Sequence, residues 1–497
     1  MQLSELVSQL PVLATEGPLD REITGLSYDS RRVQPGMVFV ALPGLNTDGH
    51  AHIQSALERG AAAIICERNG YLPQRSTKVK VPDARQALAL AAAAYYGRPA
   101  TKLKMVGITG TNGKTTVSFM VKHLLESAGT PAGLIGTVRY EVGDRLVPAQ
   151  RTTPAALDVQ QMLAQMVRAG CQACVMEVSS HAIEQQRVFG IDFDVAIFTN
   201  LTQDHLDYHG TMENYFRAKQ RLFTSAYLAG KKGAAVVNTD DPYGARILSE
   251  GGLEVQFSYG LGEHARLRAS RVKLGVERSE FHVETPAGAF DVTLPLIGRH
   301  NVYNALAAIG AALALDIEIP VIRQALATVP AVPGRLERVD HGQPFGVFVD
   351  YAHTDDALRN VLQTLREVTS GRVLLAFGCG GNRDAGKRAK MGRVAAELAD
   401  FTIITTDNPR KESPAAIAAQ IEEGVRAVRA DRHRVELDRR RAIEELIRLA
   451  EPGDTVLLAG KGHETYQEYA DTVVPFDDAL VAAEALETLG FARKERV

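Results

Sequence analysis

The chain has 497 residues, 45% hydrophobic and 23% charged, with a formal net charge of −3. Charges of both signs along the whole length exclude the basic footprint of a nucleic-acid binder, and no apolar run approaches the roughly 20 residues that span a bilayer. Four cysteines are too few for a disulfide scaffold, and the first residues lack a basic signal-peptide region, so we expect a cytoplasmic protein of about three domains.

Residues 1–98 read as a small α/β unit: a helix at Leu3–Leu10, strands at Glu22–Leu26, Met37–Ala41 and Ala62–Cys66, and a closing helix at Ala84–Tyr96. Gly97-Arg98-Pro99 is a linker. Residues 99–333 alternate β and α, beginning with an apolar strand that runs into Gly110-Thr111-Asn112-Gly113-Lys114-Thr115-Thr116 and then a helical pattern. This is the form of a phosphate cradle. Gly110 and Gly113 let backbone amides face an anion, and the helix N-terminus adds partial positive charge. Lys114 reaches the terminal phosphates, while Thr115 offers its hydroxyl to Mg²⁺. Ile108 stands where the first glycine of G-x-x-x-x-G-K-[ST] belongs, so the competing reading is a glycine-rich turn before an ordinary helix.

Further along, Cys171-x-x-Cys174 is either a redox or zinc half-site or simply two cysteines where a helix end meets a strand; no second pair accompanies it. Strand Cys174–Glu177 delivers Glu177-Val178-Ser179-Ser180-His181, placing Glu177 to bind Mg²⁺ directly or through water, the competing reading being a solvated carboxylate at a strand end. Strand Val195–Thr199 precedes Asn200–Gly210, in which His205 and His209 have i, i+4 spacing. That spacing suits a metal site or two polar loop histidines, but no H-E-x-x-H is present. After strand Ala234–Asn238 comes a β-rich insertion between about 253 and 295, then a helix at Asn301–Ala314 and a second linker at Pro330–Gly334.

In residues 334–497, strands Val347–Asp350, Val373–Phe377, Phe401–Thr405 and Thr455–Ala459 each run into a polar cluster. Helical patterns between them predict a doubly wound sheet, whose ligands bind beyond the carboxyl ends of the strands. Arg187, Arg383 and Arg410 lie in loops; each taken alone reads as a surface charge, although arginine suits carboxylate or phosphate recognition. Asp407-Asn408-Pro409-Arg410 offers an anion, an amide and a guanidinium on one stiffened turn, a set matched to a zwitterionic ligand. The basic runs Arg432-His433-Arg434 and Arg439-Arg440-Arg441 read as a solvated face. The fold class expected is therefore α/β, with a central P-loop-type doubly wound sheet and a C-terminal Rossmann-like one.

These motifs occur in order with Tyr28-Asp29-Ser30-Arg31-Arg32, Arg151-Thr152-Thr153-Pro154, Gly298–Asn304, Asp350-Tyr351-Ala352-His353 and Gly460–Glu464. Together they resemble the Mur ligases, the ATP-dependent amide-forming enzymes of peptidoglycan precursor synthesis, over essentially the whole chain. The resemblance implies a UDP-muramoyl substrate domain (1–98), an ATP-binding domain (99–333) and an amino-acid-binding domain (334–497). Its chemistry is phosphorylation of a substrate carboxylate by ATP, followed by amine attack on the acyl phosphate. By resemblance, Gly110, Thr111, Asn112, Gly113, Lys114, Thr115 and Thr116 hold the triphosphate, with Asn301, Arg335 and His353 on the nucleotide. Mg²⁺ contacts are implied at Thr115, Glu177 and His205, and Lys219 matches the family's carbamylated lysine; by itself it reads as a helix-surface lysine.

Thr152, Thr153, Ser179, Gln185 and Arg187 match positions holding the UDP-muramoyl dipeptide, with Ser30 on the uridine side. Asp407-Asn408-Pro409-Arg410 looks like the signature of members that add meso-diaminopimelate, joined by Arg383, Gly460 and Glu464. Lysine-adding members are the nearest rival, followed by folylpolyglutamate synthetase and a nucleotide-binding regulatory module without turnover. Asp355 stands where the family usually has proline. Small-molecule substrates, no nucleic acid, no membrane span and a monomer are expected.

Overall fold

Continuous runs of Val, Leu, Ile and Ala become strands buried on both faces, as in parallel sheets covered by helices. Val373–Phe377 and Thr455–Ala459 are buried at every position. The computed structural model describes residues 1–44, 47–68, 76–228, 230–250 and 256–491. They fall into two units. One comprises Met1–Arg268, Glu284–Ala289 and Tyr303–Ala325; the other comprises Ala269–Val283, Phe290–Val302 and Leu326–Val497.

The first unit opens with a five-stranded sheet in the order Ala14–Glu16, Thr77–Lys80, Ala63–Cys66, Met37–Val40, Gly25–Ser27. Only Ala14–Glu16 is antiparallel to its neighbour. Helix Ala84–Tyr95 packs its alanine face on the sheet core, and Asp83 caps it by accepting from the Arg85 and Gln86 amides. Two sequence expectations shift here. The first helix spans only Leu3–Val7, because Leu10 precedes Pro11 and is steered out of the helical region. The strand expected at Glu22–Leu26 lies at Gly25–Ser27, since Glu22 is taken up by an isolated bridge to Gln2.

In the central sheet, strand Lys104–Thr109 lies between Ala173–Glu177 and Val195–Phe198, parallel to both. Ala132–Ile135 follows on one side; Ala234–Asn238 and Gln256–Gly260 follow on the other. An antiparallel hairpin, Arg139–Val142 with Arg145–Pro148, borders Ala132–Ile135; its alternation is too short to stand out in the sequence. Register sets the carboxyl ends level, with Glu177 opposite Ile108 and Phe198 opposite Thr109. The expected β-rich segment forms strands Leu267–Leu274, Ser279–Thr285 and Gly288–Leu294.

The second unit holds a six-stranded sheet in the order Glu337–Arg338, Gly346–Asp350, Thr455–Ala459, Val373–Phe377, Phe401–Ile404, His433–Val435. All neighbours are parallel except the first pair. Helices Asp355–Val368, Lys387–Leu398 and Pro414–Arg426 bury Leu358, Leu362, Val394 and Ile421 on one face. Helices Arg439–Leu449 and Asp478–Thr488 bury Ile443, Leu446, Val481 and Leu486 on the other. Asp350 pairs with Ala459, Ala459 with Phe377, and Phe377 with Ile404. The four polar strand ends of the sequence are thus level along one edge of the sheet. No helix among the described residues is long and apolar enough to cross a membrane.

Candidate active site

The Gly110–Thr116 loop of the first unit is built by backbone that side chains would obstruct. Gly110 (φ 148°) and Gly113 (φ 86°) lie in the region open mainly to glycine. A Cβ on Gly110 would fall 1.9 Å from the Thr199 hydroxyl, and one on Gly113 would fall 2.4 Å from Asn304 Oδ1. Asn200 braces the loop: its carbonyl accepts from the Thr111 amide at 2.8 Å, and its Oδ1 accepts from the Asn112 amide at 3.0 Å. Helix Lys114–Ser127 starts at once, so Thr115 and Thr116 sit in its first turn. Lys114 Nζ folds over the loop, donating to the carbonyls of Gly110 (3.0 Å) and Thr111 (2.8 Å).

Glu177 is fully buried at the end of the adjoining strand. Its carboxylate accepts from the Thr115 hydroxyl at 3.1 Å, the Thr137 amide at 2.8 Å and the Thr137 hydroxyl at 3.0 Å. A carboxylate and a hydroxyl meeting at a helix N-terminus are the hard oxygen donors that Mg²⁺ takes. The Thr137 hydroxyl lies 3.1 Å from that of Thr152. Thr153 donates to the Glu177 carbonyl at 2.8 Å and accepts from the Ser179 amide at 3.1 Å. Arg187 donates to the Thr153 carbonyl and to Gln185 Oε1, each at 2.7 Å. Thr152, Thr153, Ser179, Gln185 and Arg187 thus form one continuous hydrogen-bonded group around Glu177. Ser30 is buried in the first sheet's domain, beginning a short helix that Asp29 caps.

Lys219 is not on a helix surface. It is 1% exposed and donates to the Gly110 carbonyl at 2.7 Å. Burial, then the charge of Lys114, holds its amine well below the usual lysine range. A neutral amine is the form that reacts with CO₂, so this environment suits the carbamylation implied by the resemblance.

The i, i+4 histidine pair does not form a shared helical face. His205 takes a left-handed conformation (φ 52°) ahead of the short helix Leu206–His209. His209 turns inward, with Nε2 3.0 Å from the Ser180 hydroxyl. His205 stays half exposed beside His181, ring centroids 4.9 Å apart. Among the described residues no cluster of three or more His, Cys, Asp or Glu could hold a metal ion; hydroxyl and lysine-derived ligands lie outside that set. Cys171 and Cys174 are free and buried, and burial pushes the Cys174 thiol up, the state of a packed rather than reactive cysteine.

In the second unit, the Arg335 guanidinium lies over the Tyr351 ring at 5.2 Å, and Tyr351 meets the rings of His353 and His463 at tilted angles, centroids 4.7 and 5.0 Å away. Asn301 donates to the Ile297 carbonyl at 2.8 Å. The turn Asp407–Arg410 is more tightly joined to its surroundings. Asn408 donates to Glu464 Oε2 at 2.7 Å and accepts from the Glu468 amide at 3.0 Å and Lys461 Nζ at 3.2 Å. Lys461 itself is fully buried. Burial raises the Glu464 carboxyl against the opposing charge of Lys461. Gly460 (φ 110°) lets Asp407 close in: a Cβ there would meet Asp407 Oδ2 at 2.6 Å. Pro409 leads into Arg410, which adopts φ 52°, pairs with Glu468 at 2.8 Å and donates to the Gly381 carbonyl at 3.0 Å. Arg410 and Arg383 both flank Gly380, and Arg383 is exposed, with no hydrogen bond or ion pair among the described residues.

A further sequence expectation, the solvated face of the two basic runs, is overturned at His433, whose side chain is 6% exposed and lies 2.9 Å from Glu422, and at Arg439. Arg440 and Arg441 are solvated, but Arg439 is completely buried. Its guanidinium pairs with both Asp478 oxygens (2.7 and 2.6 Å) and donates to the carbonyls of Ala459 (3.0 Å) and Thr406 (3.4 Å). It therefore ties the strand end before Gly460 to the one before Asp407. The signal was a charged residue one turn from apolar Ala442 and Ile443, on the inward face of its helix.

Comparison with known proteins adds an independent line. Residues 22–96 match the family model described as Mur ligase family, catalytic domain; residues 108–312 match Mur ligase middle domain; residues 334–462 match Mur ligase, glutamate ligase domain. The chain is 46% identical to the UDP-N-acetylmuramoyl-L-alanyl-D-glutamate–2,6-diaminopimelate ligase of Syntrophomonas wolfei, over 98% of this chain and 99% of that one. It is 45% identical to the protein of the same name from Geobacter metallireducens, with the same coverage. A solved structure bearing that enzyme name superposes with a TM-score of 0.74 at 32% identity, covering 99% of each chain.

Proposed function

The chain belongs to the Mur ligase family, and within it we propose that it joins meso-2,6-diaminopimelate to UDP-N-acetylmuramoyl-L-alanyl-D-glutamate. The reaction consumes ATP, releases ADP and phosphate, and supplies a peptidoglycan precursor. The observation that carries this reading is the cluster at the sheet edge of the second unit, where Asn408, Glu464 and Lys461 are linked and Arg383 and Arg410 flank Gly380. It presents carboxylate, amide and guanidinium groups together, the complement of an amino-acid head with both charges. Diaminopimelate carries such a head at its far end, where L-lysine has only an ammonium group.

One of the two free carboxylates of the D-glutamyl residue attacks the γ-phosphorus, the bond to ADP breaks, and an acyl phosphate forms. The amine then attacks the acyl carbon and phosphate leaves. Lys114, Gly110, Thr111, Asn112, Gly113 and Thr116 orient the triphosphate, and Lys114 offsets charge growing on the transferred group. Asn301, Arg335 and His353 hold the nucleotide. Thr152, Thr153, Ser179, Gln185 and Arg187 position the dipeptide, with Ser30 toward the uridine. When bound, Mg²⁺ supplies charge neutralisation, and Thr115, Glu177, His205 and a carbamylated Lys219 are the residues that would hold it. Arg383, Asp407–Arg410, Gly460 and Glu464 receive diaminopimelate.

We assign residues 1–98 to the UDP-muramoyl substrate, 99–333 to ATP and 334–497 to the amino acid, in a cytoplasmic monomer. The acyl-phosphate route is tested with dipeptide labelled by ¹⁸O in both free carboxylates of its D-glutamyl residue. One label should appear in the released phosphate for each turnover; unlabelled phosphate would rule the route out.

A further inference from the structure

Arg388 is a buried guanidinium that touches none of the groups assigned to substrate. It is 1% exposed on helix Lys387–Leu398. Its two terminal nitrogens hold both oxygens of Glu412, at 2.9 and 3.1 Å, and it also donates to the Gly380 carbonyl at 3.2 Å and Gln420 at 2.8 Å. Glu412 comes two residues after Arg410 and also accepts from the Asn382 amide. The guanidinium and that amide hold the Glu412 carboxyl below its usual range.

Three more bonds join the same two segments. The Gly381 amide donates to the Asn408 carbonyl at 2.9 Å, Arg410 donates to the Gly381 carbonyl, and the Lys411 amide donates to Asn382 Oδ1 at 2.9 Å. Contact is so close that a Cβ on Gly381 would lie 1.9 Å from the Pro409 carbonyl. The loop that carries Arg383 and the turn that carries Arg410 are therefore one rigid piece, and Arg388 is its charged anchor.

We propose that Arg388, acting through Glu412, is a positioning residue that sets the spacing of Arg383 and Arg410 and so governs discrimination between meso-diaminopimelate and an amino acid lacking the second carboxylate. The inference rests on the assignment of this cluster to diaminopimelate. A bidentate fork fixes two oxygens in a plane; a lysine at the same place keeps the charge but, as a compact ammonium on a flexible stem, cannot reproduce that planar two-point grip. The clamp then loosens while the Glu412 carboxylate keeps its counter-charge.

The test compares wild type, Arg388→Lys and Glu412→Gln in steady-state assays with meso-diaminopimelate and L-lysine. A misplacement near 1 Å costs up to about a hundredfold. We expect KM for diaminopimelate to rise and the diaminopimelate-to-lysine ratio of kcat/KM to fall about tenfold or more. KM for ATP and for the UDP-dipeptide should stay within about twofold, since those ligands do not meet this anchor. An unchanged ratio in both variants, or equal losses toward every substrate, overturns the proposal. If wild type itself does not prefer diaminopimelate, the assignment of the cluster fails and the inference goes with it. Should Arg388→Lys fold poorly, Glu412→Gln decides the matter by the same ratio.

Discussion

At the scale of single residues, Lys219 shows how far burial can depart from what a sequence displays. Its helix, Met212–Gln220, is rich in charge, and nothing in the spacing separates Lys219 from Arg217, which is exposed and paired with Glu213. The difference lies in tertiary contacts: Lys219 meets the Gly110 carbonyl and the Tyr215 ring, Nζ 4.6 Å from its centroid. An amine whose pKa is lowered on folding binds its proton less tightly than the unfolded chain does, so it costs stability at pH values below the ordinary lysine range. Lys219→Met should therefore melt higher than wild type in CO₂-free buffer at pH 7 while losing about a hundredfold or more in kcat. A lower melting temperature, or full activity, would contradict the role assigned to this lysine. Arg410→Ala is the companion test at the other cluster. It should lower kcat/KM for meso-diaminopimelate far more than for L-lysine, and equal losses would remove Arg410 from the specificity argument.

Among the elements, strands buried on both faces were legible almost to the residue, because runs such as Val373–Phe377 and Thr455–Ala459 have one physical interpretation once helices flank them. Short polar edges were not: the hairpin Arg139–Val142/Arg145–Pro148 depends on pairing with Ala132–Ile135 rather than on its own pattern. Asp355, the departure from the family's proline, opens helix Asp355–Val368, with Thr354 as its cap. Proline and an acidic residue both suit a helix start, one by its fixed φ and the other by the macrodipole, so the substitution keeps the turn. Arg439 was misread because a basic triplet hides which member faces inward. Its pairing with Asp478 joins helix Arg439–Leu449 to helix Asp478–Thr488 at full burial. Arg439→Met would strand a buried carboxylate and should cost about 3–5 kcal/mol in urea unfolding. The double variant Arg439→Met/Asp478→Leu should recover most of that loss; equal losses in single and double variants would show that the pair contributes only packing.

For the molecule as a whole, the phosphate loop and the four strand ends were readable because parallel α/β sheets place ligands at their carboxyl edges. The networks beneath them were not, since Arg388, Arg439 and Lys461 are buried by contacts distant in sequence. Burial also shapes the response to acid. His463 is pushed down to about 4 by burial and then by the charge of Arg335. The unfolded chain takes up this proton near its ordinary value of 6.5, so stability from the neutral ring is present above that pH and drains away as pH falls toward 4. His463→Gln should flatten the decline of unfolding free energy between pH 6.5 and about 4, and an unchanged slope would show that His463 titrates normally.

The most direct test of the whole account is ATP-dependent phosphate release with UDP-N-acetylmuramoyl-L-alanyl-D-glutamate, offering meso-diaminopimelate or L-lysine and identifying the UDP-linked product by mass spectrometry. The account predicts a tripeptide product with diaminopimelate and little or none with lysine. Efficient addition of lysine, or no product with either amino acid, would contradict it.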